Sequence, residues 1–331
     1  MNCNFCERRC ELSGDYHGFC QMYKVEEGRI VERYPYRWSC YQTSDIEQIP
    51  FYHAFPGSKS LVLGTMGCNM DCKYCINSYV AKKQVEESRL YTLTPEQILK
   101  AARISGCQNI VFGVNEVTVS LPSFLEVAKA ANNQGFAVGC LTNGYLTEEV
   151  AELLAEHVSF VNLSLKSISD QFYRHYASIR DVSPIIRNIR YFAERVHLEI
   201  TTPIVQDVND HEIPEIAHLI GEIDPSIPWH LFRLLPEYKM QDHQYPDIRR
   251  IESLLIQARQ EISYVYFSNF VGSKWVSTDC PLCGTPVMKR VSMGTCGAKL
   301  AADMRVKEQC LGCGYRIPFL KQSPSVQEAV S

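Results

Sequence analysis

The sequence lacks the long apolar run of a membrane-spanning helix, and it lacks a strong charge of either sign. No stretch approaches the ~20 apolar residues that cross a bilayer, and the amino-terminal MNCNFCERRC has no apolar signal-peptide core. The formal net charge is −4 over 331 residues, which gives no basis for binding nucleic acid or an anionic membrane. We therefore expect a cytoplasmic protein with neither nucleic acid nor a membrane as partner.

What the chain does have is cysteine, with 15 residues. A reducing cytoplasm keeps thiols reduced, so these residues indicate metal coordination and not a disulfide framework. They form three groups and four isolated residues. The amino-terminal group comprises Cys3, Cys6, Cys10 and Cys20; the cysteine triplet comprises Cys68, Cys72 and Cys75; the carboxy-terminal group comprises Cys280, Cys283, Cys310 and Cys313; and Cys40, Cys107, Cys140 and Cys296 stand alone.

Apolar strands alternate with amphipathic helices between the triplet and the carboxy-terminal group. The predicted strands cover 61–64, 109–114, 137–142, 160–166, 197–205 and 229–235, and the predicted helices cover 95–104, 122–133, 148–156, 170–176, 184–195 and 213–223. This alternation predicts an α/β fold of parallel βαβ units. Six strands are too few for a closed eight-stranded barrel. An open (β/α)6 barrel and a doubly wound sheet both fit the count.

The triplet follows the first predicted strand in GCNMDCKYC, with Cys-x3-Cys-x2-Cys spacing. Three thiolates can hold three corners of a cubane iron–sulfur cluster, whereas a ferredoxin-like site needs a fourth. The next cysteine, Cys107, lies in another βα unit, so one iron would be open to an exogenous ligand. The alternative is a structural zinc or iron site, or three unrelated cysteines. The position of the triplet at the start of a run of βα units argues against that alternative.

The triplet, with Tyr74 before its last cysteine, resembles the signature of radical S-adenosylmethionine enzymes. Residues 44–78 further resemble the entry segment of the AmmeMemoRadiSam-system radical enzymes, which are relatives of the pyruvate formate-lyase activating enzymes. Shorter motifs match that family in the same order, at 114–118, 142–145, 162–166, 172–176 and 199–209. The two outer cysteine groups also occur in that family. The sequence departs from the family pattern where Val117 replaces a proline and Ser164 replaces an aspartate.

This resemblance implies a partial (β/α)6 radical-SAM barrel with a Cys-rich N-terminal module and a C-terminal zinc-ribbon-like domain. The expected units are the module at 1–57, the radical SAM core at 58–240, a helical and strand connector at 241–274, the ribbon-like domain at 275–320 and a tail at 321–331. The resemblance also implies a [4Fe-4S] cluster on Cys68, Cys72 and Cys75. That cluster would cleave S-adenosylmethionine reductively to a 5′-deoxyadenosyl radical, which abstracts hydrogen from an unidentified substrate. The implied partners are a low-potential electron donor of the flavodoxin or ferredoxin type and, as one class of substrate, a protein.

Polar residues at the carboxyl ends of the predicted strands are the candidates for binding the cofactor, because loops converge there in βα folds. The Glu116 carboxylate can accept a hydrogen bond from the ammonium group of S-adenosylmethionine. By resemblance, Lys166 contacts the carboxylate or the ribose. The full set of cofactor candidates is Tyr74, Gly113, Asn115, Glu116, Asn143, Ser164, Lys166, Thr202, His230 and Arg233. No catalytic residue is assigned, because the cofactor carries the difficult chemistry.

Several of these candidates also have a structural interpretation. The segment from Gly113 to Glu116 reads equally well as a simple turn, and a lone histidine such as His230 is more often a hydrogen-bonded structural group. Cys140 fits a thiyl or proton-relay residue, although a buried small hydrophobe is the commoner role of such a cysteine.

The outer cysteine groups leave the identity of their metals open. The two Cys-x2-Cys knuckles of the carboxy-terminal group suit a tetrahedral structural zinc, with rubredoxin-like iron or an auxiliary cluster as the alternative. Cys296 is an alternative ligand there. The amino-terminal group, followed by a predicted hairpin turning at Glu27 and Gly28, fits either a zinc staple or an auxiliary cluster that passes electrons to the first one. Spacing alone does not separate zinc from iron–sulfur at that group.

Three other functions remain open at this point. Kinship with the pyruvate formate-lyase activators favours a glycyl-radical-enzyme activase that acts on a backbone glycine of a partner protein. Another protein-modifying or lipid-modifying radical enzyme is the second alternative. A zinc-binding interaction module with a vestigial triplet is the non-enzymatic alternative, and it predicts no brown colour after anaerobic reconstitution and no 5′-deoxyadenosine.

Overall fold

The computed structural model describes residues 1–82, 89–294, 296–305 and 308–321, so the predicted tail lies almost wholly outside the described residues. The strands are β1 (Tyr23–Glu26), β2 (Arg29–Glu32), β3 (Arg37–Trp38), β4 (Cys40–Asp45), β5 (Lys59–Gly64), β6 (Tyr91–Thr92), β7 (Asn109–Phe112), β8 (Ala137–Thr142), β9 (Phe160–Ser164), β10 (His197–Ile204), β11 (Trp229–Arg233), β12 (Val265–Ser268), β13 (Thr278–Asp279), β14 (Pro286–Ser292) and β15 (Ala298–Asp303). The α-helices are α1 (Ser78–Ala81), α2 (Pro95–Ile104), α3 (Leu121–Asn133), α4 (Glu148–Ala155), α5 (Asp170–Phe172), α6 (Ser183–Ala193), α7 (Ile213–Ile223) and α8 (Ile248–Ala258).

The main sheet contains eight strands in the order β12-β11-β10-β9-β8-β7-β5-β4. All neighbours from β5 to β12 are parallel, and β4 is antiparallel to β5 at one edge. The six predicted strands are therefore confirmed. Along the chain, each successive parallel strand of this sheet is added beside the previous one, always on the same side. This is the winding of a barrel. A doubly wound sheet instead reverses its strand order part-way, so that alternative is wrong for this chain.

Two strands of the main sheet lie outside the predicted core at 58–240. β4 comes from the predicted Cys-rich module, and β12 comes from the predicted connector and follows α8. With β12 the sheet has seven parallel strands instead of six. The open sheet thus recruits residues from both flanking segments, and its two edges are β4 and β12.

Local capping signals begin the helices where the sequence predicts them. The Thr94 side chain accepts from the Gln97 backbone N–H at 3.4 Å, and the Gln97 side chain accepts from the Thr94 N–H at 2.9 Å. This reciprocal capping box begins α2. At α4 the cap is a single bond, in which the Thr147 hydroxyl accepts from the Val150 N–H at 3.3 Å. The helix predicted at 170–176 differs, because α5 ends at Phe172 and a π-helical turn follows over Tyr173–Ala177.

Smaller sheets flank the main sheet at both ends of the chain. β1 and β2 form the predicted antiparallel hairpin around Glu27 and Gly28. In the carboxy-terminal part, β13, β14 and β15 form a three-stranded antiparallel sheet. Arg290 of β14 joins this sheet to the segment between β4 and β5, because its guanidinium donates to the Tyr52 carbonyl at 2.7 Å. Within the described residues, no helix is long and apolar enough to cross a bilayer.

Candidate active site

One cavity lies at the carboxyl ends of the parallel strands, and it takes residues from β7 through the segment after β12. We call it the carboxyl-end cavity. All three thiols of the cysteine triplet line it. Seven cofactor candidates from the sequence also line it: Tyr74, Asn115, Glu116, Asn143, Ser164, Lys166 and Arg233. The fold therefore brings the triplet and most of the predicted polar residues to one place.

The triplet lies on a loop between β5 and α1 with a positive charge beside it. Burial lowers the pKa of Lys82, but the nearby thiolates of the triplet outweigh burial and raise it above its ordinary value. The ammonium group of Lys82 also donates to the Met70 carbonyl, which fixes it against the loop. Burial, followed by the charge of Cys72, raises the pKa of Cys75 to about 11. The cost of ionising these thiols is offset by Lys82 and would be offset further by a bound metal.

Asn115 holds the backbone just before the triplet. Its side-chain amide donates to the carbonyls of Met66 and Gly67 at 3.2 and 2.9 Å, and its carbonyl accepts from the Thr65 N–H at 2.9 Å. The preceding residue, Val114, has a φ of 72°, which is unusual for a β-branched side chain. Such strain is concentrated at functional sites, and Val114 lines the carboxyl-end cavity.

Glu116 is a buried carboxylate that joins the ends of two strands. It accepts from the Asn143 N–H at 2.7 Å and from the Thr142 hydroxyl at 2.9 Å. Burial raises the pKa of Glu116, although these bonds and Lys166 oppose the rise. Glu116 thus lies on the cavity wall with its carboxylate oriented by protein donors.

Asn143 connects this wall to the triplet. Its side-chain N–H donates to Asn69 Oδ1 at 2.7 Å and lies 3.8 Å from the sulfur of Cys68. On the far side of the cavity, the Thr201 hydroxyl donates to Asn162 Oδ1 at 2.8 Å. Neither Asn162 nor Thr201 is among the sequence candidates, although both line the cavity.

Three sequence candidates do not line the carboxyl-end cavity. Thr202 faces the opposite side of β10 from Thr201, where its hydroxyl donates to the Leu165 carbonyl at 2.7 Å and accepts from Trp229 Nε1 at 2.8 Å. His230 is fully buried and does not reach the cavity lining, with Nε2 2.6 Å from the Glu199 carboxylate. Gly113 directly follows β7, and a Cβ on neighbouring Gly64 would meet its carbonyl at 2.7 Å.

Two cavity residues come from the part of the chain beyond residue 240. Asn269 follows β12 and accepts from the Arg233 N–H at 3.0 Å, and Cys296 precedes β15. Cys296 therefore lies at the cavity and not with the carboxy-terminal group, for which it was an alternative ligand. Cys140 is fully buried and does not line the cavity, as expected for a small hydrophobe.

The carboxy-terminal group forms a compact set of four thiols. Their sulfurs all lie within 4.8 Å of one another, with Cys280 and Cys313 3.6 Å apart and Cys283 and Cys310 3.5 Å apart. These spacings are close to the ~3.8 Å edge of a tetrahedron with metal–sulfur bonds of ~2.3 Å. A hydrogen bond with Thr285 lowers the pKa of Cys283 to about 6, so this thiol ionises near neutral pH. The geometry suits one tetrahedral ion.

The triplet has a different geometry that fits a larger group. Among the described residues, only the carboxy-terminal group is compact enough to hold a single metal ion, and the triplet is not. Wider spacing is expected when each thiolate binds a different iron of a cubane. The buried Tyr74 hydroxyl also lacks a hydrogen-bond partner on this cavity wall. The donor set therefore fits a [4Fe-4S] cluster with three protein ligands.

Comparisons with known proteins find members of the radical SAM superfamily among the matches. The sequence profile of the Radical SAM superfamily matches residues 62–220. The "Uncharacterized protein MJ0808" of Methanocaldococcus jannaschii is 27% identical over 97% of this chain and 96% of its own length. The "Putative glycyl-radical enzyme activating enzyme MJ1227" of the same organism is 29% identical over 51% of this chain and 72% of its own length.

A solved structure shows the same fold. Streptococcus suis SuiB bound to S-adenosylmethionine matches with a TM-score of 0.51 and 17% identity. The match covers 63% of this chain and 49% of SuiB, so this chain matches about half the length of that protein. At this identity the likeness concerns the fold alone, which is the α/β fold with a mostly parallel sheet described above.

Proposed function

We propose that this chain, which is an enzyme of the radical SAM superfamily, cleaves S-adenosylmethionine reductively and abstracts hydrogen from a substrate bound at the carboxyl-end cavity. The superfamily implies a [4Fe-4S] cluster and S-adenosylmethionine as cofactors. The observation that carries the proposal is the convergence on one cavity of three thiols, the Glu116 carboxylate and the Lys166 side chain. The sequence motifs of the chain further favour the AmmeMemoRadiSam type of radical enzyme.

The chain's residues would hold and orient the two cofactors. Cys68, Cys72 and Cys75 would bind three irons, which leaves the fourth open to the amino and carboxylate groups of S-adenosylmethionine. When bound and reduced, the cluster supplies the electron that cleaves the sulfonium to methionine and a 5′-deoxyadenosyl radical. Glu116 would accept from the cofactor's ammonium, and Lys166 would meet its carboxylate or ribose.

The remaining walls would position the substrate and exclude water. Phe232, Leu234 and Leu235 supply apolar surface, while Asn162, Thr201 and Asn269 supply polar groups. This combination of apolar walls with a few placed polar groups is typical of sites that fix the orientation of a ligand. A low-potential electron donor of the flavodoxin or ferredoxin type would supply the electron.

The test of this function is anaerobic reconstitution of the full chain with iron and sulfide, followed by reduction in the presence of S-adenosylmethionine. We expect about four irons for the triplet and multiple turnovers to 5′-deoxyadenosine and methionine. When the compound that gives up the hydrogen atom is deuterated, deuterium should be found in the 5′-deoxyadenosine. A reconstituted protein that contains iron but forms no 5′-deoxyadenosine would contradict the proposal.

Glu116→Gln is expected to weaken S-adenosylmethionine binding by about 10- to 100-fold, because a charge-assisted hydrogen bond contributes ~1.5–3 kcal/mol. The amide would also place an N–H opposite the N–H of Asn143, which now donates to the carboxylate. Anaerobic equilibrium dialysis of the reconstituted protein measures the dissociation constant, and iron analysis verifies the cluster. The matched control is Glu152→Gln, an exposed carboxylate on α4, which should leave binding unchanged. Equal affinities for both variants would remove Glu116 from the cofactor site.

A second candidate function is the activation of a glycyl-radical enzyme. The named relative MJ1227 supports it, since it aligns with about half of this chain. Adding a purified glycyl-radical enzyme to the reduced protein and recording electron paramagnetic resonance would separate the two functions. A protein-based doublet supports activation of the partner. Turnover without such a doublet supports a different substrate.

We also propose that the carboxy-terminal group holds one structural zinc. Cys310→Ser is expected to reduce zinc from about one ion per chain to background, because it removes one of four ligands. It should also lower the melting temperature of the β13–β15 sheet, since zinc binding contributes to folding. Mass spectrometry of the metals and a thermal melt measure both effects. Cys296→Ser is the control and should retain zinc; loss of zinc there would place Cys296 in the metal site.

A further inference from the structure

We propose that the amino-terminal group holds a second iron–sulfur cluster, which passes electrons to the cluster on the triplet. This inference rests on the proposed function, because it requires a reducible cluster at the carboxyl-end cavity. It gives the amino-terminal cysteines a redox role in place of a purely structural one. The electron source is a low-potential one-electron donor protein.

The four thiols of the amino-terminal group line a single internal cavity. Apolar side chains make up much of its wall, among them Phe5, Leu12 and Val119. The loop is shaped around Cys10: Gly18 has a φ of 75°, and a Cβ there would meet the Leu12 side chain at 3.1 Å. The N–H of Phe19 also points at the Cys10 sulfur at 3.5 Å. Hydrogen bonds to cysteine sulfur and an apolar wall are features that tune iron–sulfur clusters.

The spacing of these thiols resembles the triplet and not the carboxy-terminal group. In the part of the chain that the structure describes, the carboxy-terminal thiols form a group compact enough to hold one metal ion, and the amino-terminal thiols do not. A single zinc ion draws its four thiolates to ~3.8 Å from one another. A cubane instead takes one thiolate at each of four corners and holds them farther apart. The amino-terminal geometry therefore favours a cluster.

The same cavity offers two further groups suited to an anionic cluster. Arg8 lines it and is fixed by donating to the carbonyls of Asn69 and Ser178. His17 also lines it, and its buried Nδ1 has no hydrogen-bond partner among the described residues. A guanidinium and an available imidazole nitrogen can both interact with cluster sulfur or charge.

The amino-terminal group lies directly against the loop that carries the triplet. A Cβ on Gly67, which precedes Cys68, would meet the Cys20 carbonyl at 2.7 Å, so the two segments touch there. Asn69, which follows Cys68, lines the amino-terminal cavity together with Cys6. Two short paths of bonds and contacts therefore connect Cys6 and Cys20 to Cys68.

The amino-terminal site has exposed side chains where a donor protein can approach. Tyr16 and Phe19, beside the amino-terminal cavity, are 49% and 39% exposed and give a donor protein an apolar surface to approach. In each transfer one electron enters the amino-terminal cluster and one leaves it for the triplet cluster. The amino-terminal cluster returns to its oxidised state, and no bond forms or breaks there.

The identity of the site is tested by metal content in a chain without the triplet. After anaerobic reconstitution, the variant Cys68→Ala/Cys72→Ala/Cys75→Ala is expected to retain about four irons, against about eight for the wild type. It should also give a low-temperature electron paramagnetic resonance signal after reduction. The variant Cys6→Ser should lose the amino-terminal signal, whereas Cys40→Ser, at an isolated cysteine, should keep both. A triplet variant without iron, or a second zinc per chain, would overturn the proposal.

The relay is tested by comparing two reductants. Dithionite is small enough to reach the triplet cluster directly, so Cys6→Ser should form 5′-deoxyadenosine at close to the wild-type rate with dithionite. With reduced flavodoxin as donor, its rate should fall at least tenfold. Equal rates with flavodoxin for both proteins would overturn the relay, and so would an equal loss with both reductants. If the wild type forms no 5′-deoxyadenosine at all, the proposed function fails, while the iron content of the triplet variant still decides the second cluster.

Discussion

Cys72→Ser is expected to reduce 5′-deoxyadenosine formation to the level measured without protein. Cys72 is the buried member of the triplet, whereas Cys68 and Cys75 are partly exposed at the carboxyl-end cavity. A hydroxyl at this position is a poor iron ligand, and a cluster left with two thiolates lacks one of the three corners on which the proposed site depends. The assay combines chromatography of 5′-deoxyadenosine with iron analysis after anaerobic reconstitution.

A matched control separates this chemical loss from the effect of placing a hydroxyl in the core. Cys140→Ser introduces the same change at a fully buried cysteine on β8 that does not line the carboxyl-end cavity. Burying the new hydroxyl should cost both variants roughly 1–3 kcal/mol of unfolding free energy. Only Cys72→Ser should lose iron and turnover. Wild-type turnover in Cys72→Ser would show that the triplet does not hold the catalytic cluster.

The sequence predicts the central strands well because they are short apolar runs that are buried on both faces. β4 escapes this pattern, since its CYQTSD residues are mostly half-buried or exposed at the edge of the sheet. β12 is apolar, with the sequence VYFS, but it has only four residues and follows a polar stretch. Edge strands gain stability from backbone pairing with a neighbour, and that pairing leaves no periodic signal in the chain itself.

The same distinction separates the site residues that the sequence locates from those that it does not. Those on β7, β8 and β9 lie at strand ends, which sequence locates from the end of each apolar run. On β10 the choice between Thr201 and Thr202 depends on which face the strand presents, because successive side chains point to opposite sides. A one-residue difference in register moves the hydroxyl from the cavity to the helix side, where Trp229 binds it.

The direction of its imidazole, and not its level in the sheet, explains why His230 does not line the carboxyl-end cavity. His230 pairs in register with Thr201, so both occur at the same level of the sheet. Its imidazole turns toward Glu199, two residues earlier on β10 and farther from the carboxyl end. Cys296 and Asn269 reach the carboxyl-end cavity from distant segments. Their approach depends on how the carboxy-terminal sheet packs, and Arg290 helps to fix that packing.

Glu199→Ala is expected to lower the free energy of unfolding by ~3–5 kcal/mol, the usual cost of removing one partner from a buried ionic network. The Glu199 carboxylate is fully buried and accepts from three consecutive backbone N–H groups at 2.8–3.0 Å, those of Tyr52, His53 and Ala54. It also binds His197 and His230, at 3.1 and 2.6 Å. Alanine would leave three backbone N–H groups and the buried His230 ring without this acceptor. Urea unfolding followed by circular dichroism measures the difference.

The acid dependence of stability provides a second measurement of the same network. Burial alone would raise the pKa of Glu199, but its bonds to the two histidines outweigh burial and hold the pKa well below 4.5. A depressed carboxyl pKa stabilises the fold above the unfolded-state pKa, and this contribution is lost as the pH falls through the folded-state value. The wild type should therefore lose stability below about pH 4.5 more steeply than Glu199→Ala.

Glu222→Ala, in an exposed pair with His218, should change the free energy of unfolding by less than ~0.5 kcal/mol. A similarly small change for Glu199→Ala would show that its five bonds do not stabilise the fold.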